Sequence, residues 1–309
     1  MSLQRGDAMD LVEVAKKLFD EGVEVIIGYQ GNFNVKPIFA KANEVDKLTF
    51  NPLCIYNLTN YLTMEGFVDK VDKIGVVVKG CDSKTILQLL DENAFSRDKI
   101  VVIGIPCNGV IDVNKIVEEI GEFREFKDNE FKIKWEGDEL VVEVNGKSYK
   151  FPKDKILLEK CKVCETPNPV VYDVLVGNLI QQPHRKEEFK AVKEIESLSL
   201  EQRWEFWIKE FEKCIRCYAC RNVCPLCYCE SCVLERLEPE FVRRAVRLDE
   251  NIAYHLIRAY HLANRCVGCG ECERVCPVNL PLSLLNKKVA KEVKDLGFSE
   301  FLKPIEVGR

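Results

Sequence analysis

The chain has 309 residues, of which 47% are hydrophobic and 31% charged, and its net charge at pH 7 is −5. This composition is typical of a folded protein of about two domains and argues against disorder, while the acidic balance argues against nucleic acid as the main partner. No apolar run reaches the roughly 20 residues of a membrane-spanning helix, and the first ten residues lack a secretory signal. The sixteen cysteines are unusual, because dense cysteine in a reducing compartment typically indicates metal.

The first part of the chain predicts an α/β domain. Residues 23–27 are rich in β-branched side chains and predict a strand. Two short apolar runs, 74–79 and 100–105, flank an amphipathic segment at 83–93 in which Ser83 is the expected N-cap. Together these three segments predict a βαβ unit with parallel strands.

A second group of elements follows in this part. A further helix is predicted over residues 113–120. Residues 123–151 then alternate apolar and polar side chains, with turn signals at Asp128-Asn129, Gly137-Asp138 and Asn145-Gly146. The pattern predicts a meander of short antiparallel strands.

Four cysteines of the first part suggest a metal site. Cys81 and Cys107 each follow one of the two predicted parallel strands, and the carboxyl ends of such strands lie side by side. Cys161 and Cys164 form a C-x-x-C pair further on. Four thiols from three places suit one 4Fe-4S cluster, which we predict here; the alternative is two unrelated core cysteines and a chance pair. Cys54 is left over and is interpreted as a buried thiol.

A polar, highly charged stretch at residues 181–199 indicates a domain boundary, which divides the chain into 1–197 and 198–309. Ser199, with Gln202 three residues later, predicts a capped helix. Two more helices are predicted over residues 239–247 and 251–264. The apolar residues that recur at helical spacing in the second of these are Ile252, Leu256, Ala259 and Ala263.

Two cysteine runs define the second part. Each has the spacing C-x-x-C-x-x-C-x-x-x-C-P of bacterial ferredoxins, in which the fourth cysteine binds the other cluster. The predicted ligands of cluster 1 are Cys214, Cys217, Cys220 and Cys276. The predicted ligands of cluster 2 are Cys266, Cys269, Cys272 and Cys224. A zinc site with four cysteines is the alternative, but zinc motifs use paired C-x-x-C knuckles rather than two complete runs.

Three further cysteines lie between the runs. Cys227, Cys229 and Cys232 exceed what the first run needs. Two interpretations are open: they hold zinc, with His255 or His261 as a fourth ligand, or they are buried thiols that shield the clusters. The fold class expected for the whole chain is α+β: an N-terminal α/β domain with parallel strands plus an antiparallel meander, and a mostly helical dicluster ferredoxin domain.

Several motifs resemble a known family. Gly104-Ile-Pro-Cys107, Cys161-Lys-Val-Cys164 and the stretch 173–177 (Asp-Val-Leu-Val-Gly) are similar to motifs of the coenzyme F-420 hydrogenase/dehydrogenase β-subunit family. That family includes β subunits of archaeal formate dehydrogenase. The resemblance implies an electron-transfer subunit with iron–sulfur clusters and, in some members, FAD. The second part resembles the α-helical ferredoxin module of fumarate reductase and heterodisulfide reductase subunits.

The evidence for flavin in the sequence is limited to one loop. There is no G-x-G-x-x-G motif, and Gly28 and Gly31 flank the only candidate loop for a cofactor phosphate after a strand. FAD therefore stays open as a cofactor. No catalytic residue is predicted, because the three histidines, His184, His255 and His261, lie in no catalytic motif.

Three functions are compatible with these patterns. The first is an iron–sulfur β subunit that carries electrons between a catalytic subunit and a carrier such as ferredoxin. The catalytic subunit would belong to a formate dehydrogenase, an aldehyde-type tungsten or molybdenum enzyme, or a hydrogenase. The second is a flavin subunit that itself exchanges hydride with a deazaflavin or nicotinamide, so whether the chain is an enzyme stays open. The third is a zinc scaffold without a redox role. The clusters imply a reducing cytoplasm and an anaerobe, and the Lys and Glu content fits a thermophile.

Overall fold

The protein is described here by a computed structural model over residues 10–64, 66–121, 131–181 and 189–297, in two units that divide between residues 186 and 187. The division lies before the boundary expected at 197, and the helix Lys190–Glu196 belongs to the second unit. Within the described ranges, no helix has the length and apolarity needed to cross a bilayer.

The first unit alternates strands with short helices. Its elements in chain order are α1 (Leu11–Asp20), β1 (Val25–Gln30), β2 (Lys36–Ala40), β3 (Leu48–Thr49), β4 (Ile74–Val78), α2 (Gly80–Asp91), β5 (Ile100–Gly104), α3 (Val113–Ile120), β6 (Phe131–Glu136), β7 (Glu139–Val144), β8 (Lys147–Pro152), α4 (Lys153–Ile156), α5 (Glu159–Lys162) and β9 (Val174–Leu175). Four 3₁₀ turns supplement them, at Ala42–Lys47, Leu58–Thr63, Val68–Lys70 and Arg97–Lys99.

The central sheet is mostly parallel. Its strand order is β2-β1-β4-β5-β9, with β3 paired to one end of β1. Strands β1, β4, β5 and β9 run parallel, whereas β2 and β3 are antiparallel to β1. Every residue of β4 and β5 is buried, as expected for apolar runs in a sheet covered on both faces. The predicted βαβ unit is confirmed, with β4 and β5 in parallel register from Ile74–Ile100 to Val78–Gly104.

Helix α2 begins three residues before the expected cap at Ser83. The Asp82 carboxylate accepts the backbone N–H of Lys79 at 3.1 Å, which makes Lys79 the N-cap. Ser83 is buried instead, and its hydroxyl donates to Gly80 O at 2.7 Å and accepts the Val170 N–H at 2.9 Å. The early start places Cys81 within the first turn of α2.

The meander is a separate three-stranded sheet. Strands β6, β7 and β8 pair in antiparallel register, from Phe131–Val144 to Glu136–Glu139 and from Glu139–Pro152 to Val144–Lys147. Asn145 and Gly146 take positive φ values of 51° and 73° in the second turn, as a two-residue hairpin of type I′ requires. Both hairpins were predicted; the turn signal at Asp128-Asn129 lies outside the described residues.

The second unit is helical. Its elements are α6 (Lys190–Glu196), α7 (Leu200–Glu212), α8 (Ala219–Asn222), α9 (Leu248–His261), α10 (Glu271–Arg274) and α11 (Leu282–Asp295). Helix α9 packs against α7 and α11, and the short helices α8 and α10 pack against each other. The predicted capping box is confirmed: the Gln202 N–H donates to Ser199 Oγ at 3.2 Å, and the Ser199 N–H donates to Gln202 Oε1 at 3.0 Å.

The predicted apolar stripe of α9 is confirmed only in part: Ala259 is buried and Ile252 packs against the core that contains it. The buried residues of the helix are largely polar, namely Asn251, Tyr254, His255, Arg258 and Ala259. Leu256, expected in the core, is 38% exposed. The helix turns this polar face toward the cysteine loops because they offer carbonyls and sulfurs as hydrogen-bond partners.

The helix predicted over residues 239–247 is also wrong, since the structure has no helix there. The backbone groups of Arg243 bond to side chains from outside the segment. The Arg243 N–H donates to Glu250 Oε2 at 2.9 Å, and Arg243 O accepts the Arg216 guanidinium at 3.0 Å. These tertiary bonds replace the hydrogen bonds that a helix would supply.

Candidate metal centres

The first cysteine run is a tight loop that leads into α8. Arg216 and Tyr218 take left-handed φ values of 54° and 60°, which turn the chain between successive cysteines. A left-handed residue other than glycine costs about 1–2 kcal/mol. Arg216 is held there by its guanidinium, which donates to Glu250 O at 2.8 Å and lies 4.5 Å from the ring centroid of Tyr254.

The second run repeats the same backbone with glycines. Gly268 and Gly270 occupy the corresponding positions, both with φ of 70°. Helix α10 then begins directly after Gly270, as α8 begins after Tyr218. The two runs therefore present their cysteines in the same way, although only the second uses residues without a left-handed penalty.

The structure brings the cysteines together across the two runs. One cavity is lined by Cys214, Cys217 and Cys220 together with Cys276 from the second run. Another is lined by Cys266, Cys269 and Cys272 together with Cys224 from the first run. Each set of four is the one predicted from the exchanged fourth cysteine; the ligand assignment itself stays a prediction. We call these cavities site 1 and site 2.

Helix α9 supports site 1 through buried polar side chains. The Asn251 amide donates to Phe211 O and Cys214 O, each at 3.0 Å, which ties the end of α7 to the first cysteine. His255 Nε2 lies 3.2 Å from Cys214 Sγ, and its ring stacks on Phe211. Burial, with Arg258 and Arg216 nearby, lowers the pKa of His255 to about 3, so this histidine is neutral at physiological pH.

Site 2 has a buried arginine beside it. Arg258 is 3% exposed and lines the cavity with the four cysteines. Burial raises the pKa of the Cys272 thiol well above its ordinary value, although the nearby Arg258 lowers it. The Cys227 N–H donates to Cys224 O at 3.0 Å, and the proximity of the two thiols raises the pKa of Cys224 and lowers that of Cys227.

The three additional cysteines do not form a common site in this arrangement. Cys227 contacts Cys224, Cys232 packs against the core of the second unit, and Cys229 is exposed. His255, one expected zinc ligand, faces Cys214. In the parts of the chain that the structure describes, no three His, Cys, Asp or Glu side chains are grouped to hold a single metal ion. The zinc interpretation stays a prediction, whereas the buried-thiol interpretation is wrong for Cys229, which is exposed.

A third cavity lies at the edge of the sheet in the first unit. It is lined by Cys81, at the start of α2, by Cys107, just after β5, and by Cys161 and Cys164 around α5. We call it site 3. Burial raises the pKa of Cys107 to about 12 and that of Cys81 well above its ordinary value. These are the four cysteines predicted from the sequence.

Two close approaches assemble site 3. The Cys107 N–H donates to Pro167 O at 2.8 Å, which joins the end of β5 to the loop after Cys164. At Gly80 the same loop approaches so closely that a Cβ atom there would lie 1.9 Å from Thr166 O. Glycine is therefore required at this position for the loop to reach the strand that precedes Cys81.

A buried ionic network lies next to site 3. Lys79 Nζ is 2.8 Å from Asp82 Oδ2 and donates to Tyr29 Oη at 2.5 Å and to Tyr56 O at 2.7 Å. Burial alone would lower the pKa of Lys79, but the Asp82 carboxylate holds it above its ordinary value. Lys79 also lines the cavity, so it contributes positive charge beside the thiols.

The site 3 cavity is much larger than the other two. Its volume is about 420 Å³, against about 20 Å³ for site 1 and about 30 Å³ for site 2. Its lining includes four lysines, Lys79, Lys153, Lys160 and Lys162. A cavity of this size is within the range of organic cofactor sites, which is roughly 300–1,000 Å³.

The candidate flavin loop at Gly28 and Gly31 does not begin where the sequence predicted. Strand β1 continues to Gln30, so Gly28 lies inside the strand and not in a loop after it. A Cβ atom there would meet the Leu48 side chain at 2.6 Å. Gly31 does follow the strand, with φ of 92°. The expectation that Gly28 belongs to a phosphate-binding turn is therefore wrong, because β2 and β3 extend the pairing of β1 through this segment.

The donor set fits iron–sulfur clusters. Each cavity offers four soft sulfur ligands, as a cubane requires. Backbone amides donate to several of these sulfurs at 3.4 Å: Arg216 to Cys214, Leu280 to Cys276, Gly109 to Cys107 and Val110 to Cys161. Amide donors of this kind tune the potential of a bound cluster.

Comparison with known families agrees with this geometry. The family that matches residues 71–205 is described as the C terminus of the beta subunit of coenzyme F420 hydrogenase/dehydrogenase. Residues 71–205 are similar to this β-subunit family, and we call them the β-subunit domain. The family described as "4Fe-4S dicluster domain" matches residues 210–280. The chain thus joins a β-subunit domain, which contains the four cysteines of site 3, to a dicluster domain, which contains those of sites 1 and 2.

Two curated relatives are beta subunits of F420-dependent formate dehydrogenases. The chain is 26% identical to the F420-dependent formate dehydrogenase subunit beta of Methanocaldococcus jannaschii, over 92% of this chain and 87% of that protein. It is also 26% identical to the F420-dependent formate dehydrogenase 1 subunit beta of Methanococcus maripaludis, over 73% and 72%. A chain of the F420-reducing [NiFe] hydrogenase complex from Methanosarcina barkeri matches 51% of this chain and 58% of its own length, with 14% identity and a TM-score of 0.41.

Sequence reasoning missed the charged side chains that surround the cysteines. Arg258 and His255 lie on α9, and the apolar stripe of this helix predicted that a different face would be buried. Lys79 had a visible signal in the β-subunit domain, since it ends the buried run of β4 and has Asp82 one turn later. A lysine at the end of a buried strand needs a partner, and an acidic residue three positions on can supply it.

The exchange of fourth cysteines in the dicluster domain predicts the effect of Cys276→Ala. We expect loss of the cluster at site 1 and retention of the cluster at site 2, with about four fewer irons per chain. EPR of the reduced protein and iron analysis would measure this. Cys224→Ala is the mirror variant and should remove only the cluster at site 2. Loss of the site 2 cluster in Cys276→Ala would contradict the pairing.

The contact at Gly80 predicts that Gly80→Ala removes the cluster of the β-subunit domain. The added methyl group would collide with Thr166 O and Asn168 O, so the loop must move away from Cys81. We expect about four fewer irons per chain, with sites 1 and 2 intact. Gly75→Ala is the control, because its Cβ would meet side chains, Ile26 at 2.9 Å and Ile103 at 3.5 Å, and not backbone. Equal iron loss in both variants would refute the explanation.

Proposed function

We propose that this chain is an iron–sulfur electron-transfer β subunit of a multi-subunit oxidoreductase. Its partner would be the catalytic subunit of a formate dehydrogenase, and the chain would pass electrons from that subunit to a soluble carrier such as ferredoxin. The observation that carries the proposal is that three cavities are each lined by four cysteines from separate parts of the chain. The names of the relatives favour formate over other substrates.

The chain's own residues prepare these cavities for anionic ligands. A bound 4Fe-4S cluster supplies one-electron transfer with little reorganisation. Around the cavities, backbone amides donate to cysteine sulfurs, while Arg216 borders site 1, Arg258 borders site 2 and Lys79 borders site 3. These cations offset the negative charge that thiolates bring into a buried environment.

We infer the cellular compartment of the protein from its cysteines. None of the sixteen cysteines is paired in a disulfide, and all of them lie in the described ranges. Thiols at this density persist in a reducing environment, so we place the protein in the cytoplasm of an anaerobe.

The proposal predicts the metal content of the anaerobically purified protein. We expect about twelve irons and as many acid-labile sulfides per chain, at four irons for each of three clusters. About eight irons would confine the clusters to sites 1 and 2. Zinc without sulfide would refute the function and support a scaffold, whereas one zinc beside either iron total would point to Cys227, Cys229 and Cys232.

The size of the site 3 cavity favours a second candidate function. In this alternative the chain itself also binds FAD in this cavity, near the site 3 cluster, and exchanges hydride with a deazaflavin or nicotinamide. The lysines that line the cavity would supply positive charge for the pyrophosphate of the cofactor. Bound FAD would couple two-electron to one-electron transfer.

Flavin release tests this second candidate. If it is correct, the intact complex purified without oxygen should release about one FAD per chain on denaturation, measured by fluorescence. Lys153→Glu, which reverses a charge on the lining of the cavity without replacing a cysteine, should lower the flavin content and leave the iron content unchanged. Absence of FAD from complex that carries its full iron would refute it and leave the first proposal standing.

A further inference from the structure

Arg258 is a buried cation with an unusual set of neighbours. It lies on the polar face of α9, and only 3% of it is exposed. No carboxylate is paired with it among the described residues, whereas Arg274 on α10 is paired with Glu271 at 2.7 Å. Burying an arginine without a counter-ion is costly, so its charge requires another compensation.

The neighbours of Arg258 come from both C-terminal sites. Its Nη2 donates to the carbonyl oxygen of Cys220, a predicted ligand of site 1, at 3.0 Å. It also lines the site 2 cavity together with Cys272 and Cys224, predicted ligands of that site. One side chain thus contacts the loops of two neighbouring cavities.

One donor of this side chain is left over. The Nε–H of Arg258 is buried and has no hydrogen-bond acceptor in the described part of the chain. A buried N–H without a partner is rare and unfavourable. Sulfur at site 2 is an acceptor of suitable charge, because Arg258 lines that cavity.

We propose that Arg258 is a positioning residue shared by sites 1 and 2. Its guanidinium compensates the buried negative charge of the two clusters and raises the reduction potential of each. The inference rests on the proposed clusters at sites 1 and 2. A fixed positive charge stabilises the more negative, reduced state of a cluster, and the effect is strong where water is excluded. Because the charge is permanent, the effect does not depend on pH near neutrality.

The test compares charge-retaining and charge-removing variants of the full chain. Arg258→Lys keeps the positive charge, and Arg258→Gln keeps a hydrogen-bond donor but removes the charge. Arg247→Gln is the matched control: it removes one positive charge at the N-cap of the same helix, where the side chain is 61% exposed and paired with Asp249 at 2.9 Å. Iron, sulfide and EPR-monitored redox titration are measured for each protein. The two signals are assigned with Cys276→Ala and Cys224→Ala.

We expect both midpoint potentials to become more negative in Arg258→Gln. They should stay close to those of the unmodified protein in Arg258→Lys and in Arg247→Gln. If Arg258→Gln fails to retain clusters, loss of both clusters there with retention of both in Arg258→Lys supports the same role, since only the charge-free variant is affected.

Three results would overturn the inference. They are a shift or loss confined to one cluster, unchanged potentials in Arg258→Gln, and loss of both clusters in Arg258→Lys as well. Failure of the proposed function is distinguishable, because in that case the unmodified protein itself shows no 4Fe-4S signals or acid-labile sulfide.

Discussion

Cysteine thiolates that share one cavity repel one another and are poorly solvated when buried, and the rest of this structure depends on compensating that charge. Each cavity is bordered by at least one buried cation, Arg216, Arg258 or Lys79. Backbone amides donate to several of the sulfurs. Burial raises the pKa values of Cys81, Cys107 and Cys272, and the nearby cations and amides oppose this rise.

The two units meet this requirement with different architectures. In the second unit, short loops with left-handed residues turn the chain so that three cysteines line one cavity, and α9 supplies polar side chains from outside the loops. In the first unit, the parallel sheet places Cys81 and Cys107 at one edge, and close backbone contact at Gly80 brings the remaining pair to them. Loop conformation positions the ligands in the second unit, and regular structure does so in the first.

Local patterns predicted what depends on local rules. The β4-α2-β5 unit, the turn at Asn145-Gly146 and the Ser199 capping box follow from apolar runs, left-handed turn residues and reciprocal hydrogen bonds within a few residues. The expectations failed where a distant partner changed the outcome. Ser83 bonds to Val170, so it does not cap α2, and Arg243 bonds to Arg216 and Glu250, so its segment forms no helix.

The sequence by itself determined which cysteines line sites 1 and 2, because the spacing within each run and the exchange of the fourth cysteine are visible in the sequence. It also predicted β1, β4, α2, β5, α3 and the antiparallel meander in their order along the chain, but not β2 or β3. Only the tertiary structure decided which face of α9 is buried, that Gly28 lies within a strand, and that Arg258 contacts the loops of two sites. The physical reason is that a buried charge or donor is placed by partners far away in the chain, and hydrophobic periodicity carries no information about them.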